Sequence, residues 1–210
     1  MLLSNRTVLT NADLPKMMPI LQEFSSICKA NDIPLNVWVG GNGYVMGTVV
    51  FTVGYESLAD RFNSNAKLMA SKDWWETNRK FREYTISIEP DTIMNFVRGG
   101  SMGSAIPTGT LINSSAFQMA QGADWLATLK YVNEYAELST KVNGVDVSVV
   151  HTIYGVLGGV GMISGYQNAE ALDVARAKSA ASNELTAKFL EGGKFAMAGT
   201  VVQRTMIKVA

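Results

Sequence analysis

A single histidine and a single cysteine limit the chemistry open to this chain. His151 is the one side chain whose ordinary pKa lies near neutrality, which makes it the candidate catalytic proton acceptor. It sits in the β-rich run VSVVHTIY, where alternation puts it on one sheet face with Val147, Val149 and Ile153. Cys28 instead continues the apolar stripe Leu14, Met17, Met18, Leu21, Phe24 of an expected helix, a place for packing. One cysteine excludes an internal disulfide and a multi-cysteine zinc site, and one histidine excludes metal centres built on two or three. Trp38, Tyr44, Tyr55, Tyr154 and Tyr166 gather around two glycine-rich turns. Such aromatics either line a pocket for an apolar ligand or fill an interior. Tyr55 and Tyr166 each follow a glycine and lead into a helix, so each ring either fixes that corner by packing or offers a phenol to a ligand. No metal ligand set and no Ser/His/Asp triad follows from spacing, and the expected strands hold few carboxylates for paired acid–base work.

Other motifs read more plainly as structure. The run 155–161, GVLGGVG, lacks the Gly-Lys-Ser/Thr ending of a phosphate loop and has no helix directly after it, so it is a hairpin turn. Lys67 and Lys178, each after an alanine at matching helical positions, face a pocket or a solvated surface. Of the adjacent pair Trp74 and Trp75, one is placed to mark a subunit contact, since neighbouring helical positions point about 100° apart.

Positioning these residues requires a folded frame, and the composition provides for one. The 210 residues are 47% hydrophobic and 17% charged, too apolar for a disordered chain. Eighteen basic against 18 acidic residues give no net charge, which argues against a nucleic-acid partner. The most apolar stretch, 153–163, is interrupted by glycines and falls short of the roughly 18–20 residues that span a bilayer. No membrane partner is therefore expected, and with no signal-like apolar run at the start the expected location is cytoplasmic.

The frame is repeated. Laid on itself at an offset of 111, the segment 35–72 matches 146–183 at ten of 38 positions, among them Gly47/Gly158, Tyr55/Tyr166 and Ser71/Ser182. Each half reads strand, helix, strand, strand, helix, strand. The first half has strands near 2–9, 35–39 and 46–55, a helix from Asp13, a second helix from Ser57 through Trp75, and a last strand broken at Pro90. The second half has strands near 110–112, 147–154, 160–166 and 195–209, with helices capped by Asp124 and Asn168. The register pairs His151 with Gly40 and puts Trp38 on the face that carries His151 in the other half. A glycine-serine joint at 99–104 divides the chain into 1–104 and 105–210.

Two βαββαβ units are ferredoxin-like half-folds, an α+β class in which each unit leaves one sheet face open. Paired face to face, two tandem units close into a pseudo-symmetric α/β barrel. In this element order and repeat the chain resembles the dimeric α/β-barrel superfamily, which includes antibiotic-biosynthesis-type monooxygenases, chlorite-dismutase-like haem proteins, muconolactone-isomerase-like enzymes and stress-responsive barrel proteins. The resemblance spans nearly the whole chain and rests on no member-specific motif. It implies a pocket between each sheet and its helices or inside the barrel. It also implies a small-molecule protein, a cofactor-independent monooxygenase or isomerase acting on a hydrophobic substrate. Its alternative is a non-catalytic ligand-binding or assembly protein, a homo-oligomer, to which 11 methionines would suit. Haem members use an axial histidine, a place only His151 could take here; otherwise no cofactor is expected.

Overall fold

The computed structural model describes residues 1–100 and 106–210, so the expected boundary at 104 lies outside the described residues. The first half contains β1 (Leu2–Thr10), α1 (Leu14–Ala30), β2 (Leu35–Gly40), β3 (Thr48–Tyr55), α2 (Leu58–Ala70), α3 (Lys72–Arg82), β4 (Thr85–Ile88) and β5 (Thr92–Arg98). The second contains β6 (Leu111–Gln118), α4 (Trp125–Asn143), β7 (Val147–Tyr154), β8 (Gly159–Tyr166), α5 (Ala169–Ala181), α6 (Asn183–Glu191) and β9 (Val202–Lys208). The offset of 111 carries β3 onto β8 and α2 onto α5 residue for residue.

Local chemistry explains the helix ends. The expected single helix after Ser57 is two helices, because Ser71 stops α2 and its hydroxyl accepts from the Trp74 backbone N–H to start α3. Ser182 does the same between α5 and α6, accepting from Leu185. The matched Ser71/Ser182 pair is thus a matched break. Asp124 caps α4 through Ala127, and Gly144 ends it in the left-handed conformation at φ 72°. The last strand is shorter than expected: a 3₁₀ turn over Gly192–Lys194 and a lone bridge from Met119 to Ala196 precede β9.

The strands run β3-β2-β9-β6-β8-β7-β5-β1, and β1 pairs again with β3, closing an eight-stranded antiparallel barrel. The break at Pro90 splits the last strand of the first half, so that β4 and β5 share one edge of β1 before β5 crosses to β7. The second seam is β2 with β9, through Trp38↔Lys208 and Val39↔Ile207. Each half thus lends its final strand to the second strand of the other. This is the α+β barrel of two ferredoxin-like repeats.

Alternation sorts side chains into two layers. Leu3, Trp38, Val50, Ile112 and Met206 point into the barrel and meet Met94, Phe96 and Ile163 there. Outside the barrel, Val8, Val37 and Val49 pack under Met17, Leu21 and Phe24 of α1 and Phe81 of α3. Val147, Val149 and Val160 pack under Tyr131, Val132 and Ala136 of α4. No helix among the described residues is long and apolar enough to cross a membrane.

Candidate functional site

The two helix-covered faces differ in filling. In the first half Phe24 stands edge-on to Phe51, Trp74 and Phe81 at ring-centroid distances of 5.7, 5.1 and 5.6 Å, and Phe51 meets Phe81 at 5.6 Å. This cluster, with Cys28, Val53 and Leu68, leaves a cavity of only about 120 Å³. Displaced by 111 residues, the same wall reads Tyr135, Ser139, Met162, Ser164, Ser179, Leu185 and Gly192 in place of Phe24, Cys28, Phe51, Val53, Leu68, Trp74 and Phe81. Bulk is removed and hydroxyls are added.

What remains is a cleft of two adjoining lobes, of about 380 and 460 Å³, between β6, β8 and β9 and the helices α4, α5 and α6. Ser115, Tyr135, Met162, Phe189 and Gln203 border both lobes. The larger lobe is apolar, walled by Phe117, Tyr131, Val132, Leu190 and Val201. Its wall is fixed by Tyr131, whose hydroxyl donates to the Lys188 carbonyl at 2.7 Å and whose ring stacks on Phe195 at 4.9 Å. A Cβ at Gly192 would collide with that hydroxyl, so the glycine keeps the wall in place. The smaller lobe is polar, lined by Asn113, Ser139, Asn143, Ser164, Tyr166, Arg176, Ser179 and Thr186. Ser179 donates to Asn143 Oδ1 at 3.0 Å and Asn143 Nδ2 to Ser139 at 3.2 Å, which joins α5 to α4 across the lobe. Among the described residues Asn113 Oδ1 is buried without a hydrogen-bond partner, an acceptor whose desolvation costs about 1–3 kcal/mol until a donor reaches it.

Burial raises the pKa of Tyr135 and of Tyr166; for Tyr166 the Ser164 hydroxyl and the Arg176 charge pull the other way. Tyr131 is pushed up to about 12, chiefly by burial. At neutral pH all three are phenols and can donate hydrogen bonds.

The six residues singled out in the sequence are not brought together. Tyr166 lines the polar lobe and is buried, while Tyr55 lines the small first-half cavity, its pKa pushed up to about 12 by burial. Trp38 is fully buried inside the barrel, its Nε1 donating to Thr52 Oγ1 at 2.8 Å. Tyr44 joins the barrel interior at one mouth, under the Arg204 guanidinium at 5.0 Å. Tyr154 is exposed at the end of β7. His151 lies on the outer face with Val147 and Val149, edge-on to Trp125 at 5.0 Å, and borders neither lobe. Trp38 and His151 therefore occupy opposite faces, a correction to the gapless register. Pairs in the first hairpin sum to 88 (Val37↔Phe51) and in the second to 311 (Val149↔Met162). With β3 and β8 offset by 111, β2 and β7 must be offset by 112, which makes Val39 rather than Gly40 the counterpart of His151. One residue of slip reverses every face. Lys67 and Lys178 are exposed in the last turns of their helices, Trp74 is packed inward, and Trp75 is exposed with Nε1 on the Met69 carbonyl. Cys28 is buried and its thiol pushed up to about 12 by burial, which leaves it inert as a nucleophile.

The fold and the cleft define a class: an α+β barrel of two ferredoxin-like repeats with a pocket between sheet and helices. No family model and no curated protein matches the sequence. Among solved structures, a proposed monooxygenase from Fusobacterium nucleatum superposes with a TM-score of 0.72 over 100% of this chain and 92% of its own, at 6% identity. A proposed monooxygenase from Lactobacillus acidophilus gives 0.66 over 100% and 94%, at 8% identity. An anthrone oxidase-like protein gives 0.65 over 100% and 91%, at 16% identity. At these identities the likeness is one of fold.

Among the described residues, no three His, Cys, Asp or Glu side chains gather to hold a metal ion. A histidine-ligated haem does not fit the cleft, because its lining holds no histidine and His151 stands outside it.

Proposed function

We propose that this chain binds a flat, largely apolar small molecule in the second-half cleft and oxidises it with O2 without a cofactor. The observation that carries this reading is the contrast between the two matched sheet–helix walls: a cavity of about 120 Å³ among Phe24, Phe51, Trp74 and Phe81, with a separate hollow of about 340 Å³ at Met1, Asp32 and Glu56, against lobes of about 380 and 460 Å³ with a polar end. Lobes of this size match the range of small-molecule sites, about 300–1,000 Å³. The proteins of like fold named as monooxygenases and as anthrone oxidase-like support the same class.

Oxidation without a cofactor needs a substrate that supplies its own electrons. A methylene flanked by aromatic rings and opposite a carbonyl meets this need, because loss of one proton gives an enolate that reacts with O2. One oxygen atom becomes the new carbonyl and the other leaves as water with the two methylene hydrogens. Tyr166, Ser164 and Gln203 would donate hydrogen bonds to the developing enolate oxygen, while Tyr135, Met162 and Phe189 hold the ring system flat. The lining carries no carboxylate or imidazole, so the proton passes to water.

The test is O2 uptake and product mass with anthrone. The expected product is anthraquinone labelled by isotopically heavy O2, formed faster than without protein and not after Met162→Trp fills the space both lobes share. Binding without O2 uptake would favour the second reading, a non-catalytic ligand-binding barrel, for which the missing general base is the specific argument. The same reading extends to self-association through exposed apolar groups such as Trp75, measured by light scattering of the intact chain.

A further inference from the structure

Building on that cleft assignment, we propose that the ligand carries a carboxylate, held by the Arg176 guanidinium at the polar end of the cleft. Among the described residues Arg176 is the one charged side chain that lines either lobe. Among the described residues it takes part in no ion pair; Asp173, three positions earlier on α5, does not reach it.

At the corresponding wall of the first half, guanidinium groups are closed by a carboxylate of the protein itself. There Asp91 receives Arg6 Nε and Nη2 at 2.7 and 2.8 Å and Arg61 of α2 at 3.3 Å, at the edge of the small cavity. In the second half the strand position of Arg6 is Ser115, since Leu2 and Leu111 pair alike with Tyr55 and Tyr166, an offset of 109. The helix position of Arg61 is Leu172, and a guanidinium returns one turn later at Arg176 without an acidic partner. A ligand carboxylate would take the part that Asp91 plays. The guanidinium fork suits the two coplanar oxygens of a carboxylate. Asn113 Oδ1, buried and unpartnered in the same lobe, calls for a donor, which a hydroxyl beside the carboxylate supplies. The chemical class is therefore a hydroxyaryl carboxylic acid.

The experiment compares 3-hydroxy-2-naphthoate with its methyl ester by calorimetric titration of the whole protein, as wild type, Arg176→Gln and Arg176→Lys. Wild type should bind the acid about tenfold or more tightly than the ester. Arg176→Gln should lose that preference at an unchanged melting temperature, since the side chain is exposed, and Arg176→Lys should keep part of it. Equal binding of acid and ester by wild type, or a preference that survives in Arg176→Gln, overturns the carboxylate assignment while leaving the cleft as a ligand site. Failure of both compounds to bind overturns the cleft and the carboxylate together.

Discussion

Leu68 and Ser179 hold the same place on corresponding helices, 111 residues apart, and face opposite surroundings. Leu68 is buried with Cys28 and Ile33 in an apolar cluster. Ser179 donates to Asn143 in the wall of the cleft. The pair condenses the difference between a face used for stability and a face left open. Restoring the first-half residues, Ser164→Val with Ser179→Leu, should therefore abolish ligand binding. The lost hydrogen bond costs about 1 kcal/mol and added apolar burial offsets it at about 0.8 kcal/mol per methylene, so thermal unfolding should stay at or above the wild-type midpoint. Loss of the fold together with binding would count against this account.

Trp38 carries weight as a barrel-filling residue rather than a ligand contact. Trp38→Phe removes volume from a fully buried site and leaves Thr52 Oγ1 without its donor. A cost of about 2–3 kcal/mol is expected in denaturant unfolding, with cleft affinity unchanged.

His151 makes an edge contact with Trp125 at the start of α4 and lines neither lobe of the cleft. His151→Ala should cost about 1 kcal/mol in stability and leave anthrone turnover at the wild-type rate. Turnover that vanishes in this variant would move the chemistry out of the cleft.

Tyr55 and Tyr131 are pushed up to about 12 by burial, above the ordinary tyrosine value of about 10. The folded state therefore keeps two protons that the unfolded state releases between about pH 10 and 12, so stability falls as pH rises through that window. The slope should be on the order of 1 kcal/mol per pH unit for each ring. Chemical denaturation at stepped alkaline pH, followed alongside phenolate absorbance, measures it; phenolate signal from all seven tyrosines near pH 10 in the folded protein would contradict it.

Much of the fold was legible because it rests on local chemistry. Asp124 and Asn168 cap helices where the sequence placed caps, and Pro90 breaks the strand as its missing N–H requires. The site was less legible. The gapless offset that aligned Tyr55 with Tyr166 carried His151 onto Gly40, because one extra residue of displacement in β2 and β7 is invisible without the pairing register. Asn113, Ser164, Arg176 and Ser179 belong to no motif. For three of them the signal was present in the repeat, as hydroxyls at Ser164 and Ser179 replacing Val53 and Leu68 and a charge at Arg176 replacing Asn65, while Asn113 lies outside the matched segment.

The most direct test of the cleft is the spectrum of isotope-labelled methionine methyl groups during titration with a flat aromatic ligand. Met162 borders both lobes, whereas Met94 and Met206 lie inside the barrel. The Met162 methyl resonance should shift under the ligand's ring current while Met94 and Met206 stay in place; shifts at Met94 and Met206 with Met162 unmoved would contradict a ligand site in the cleft.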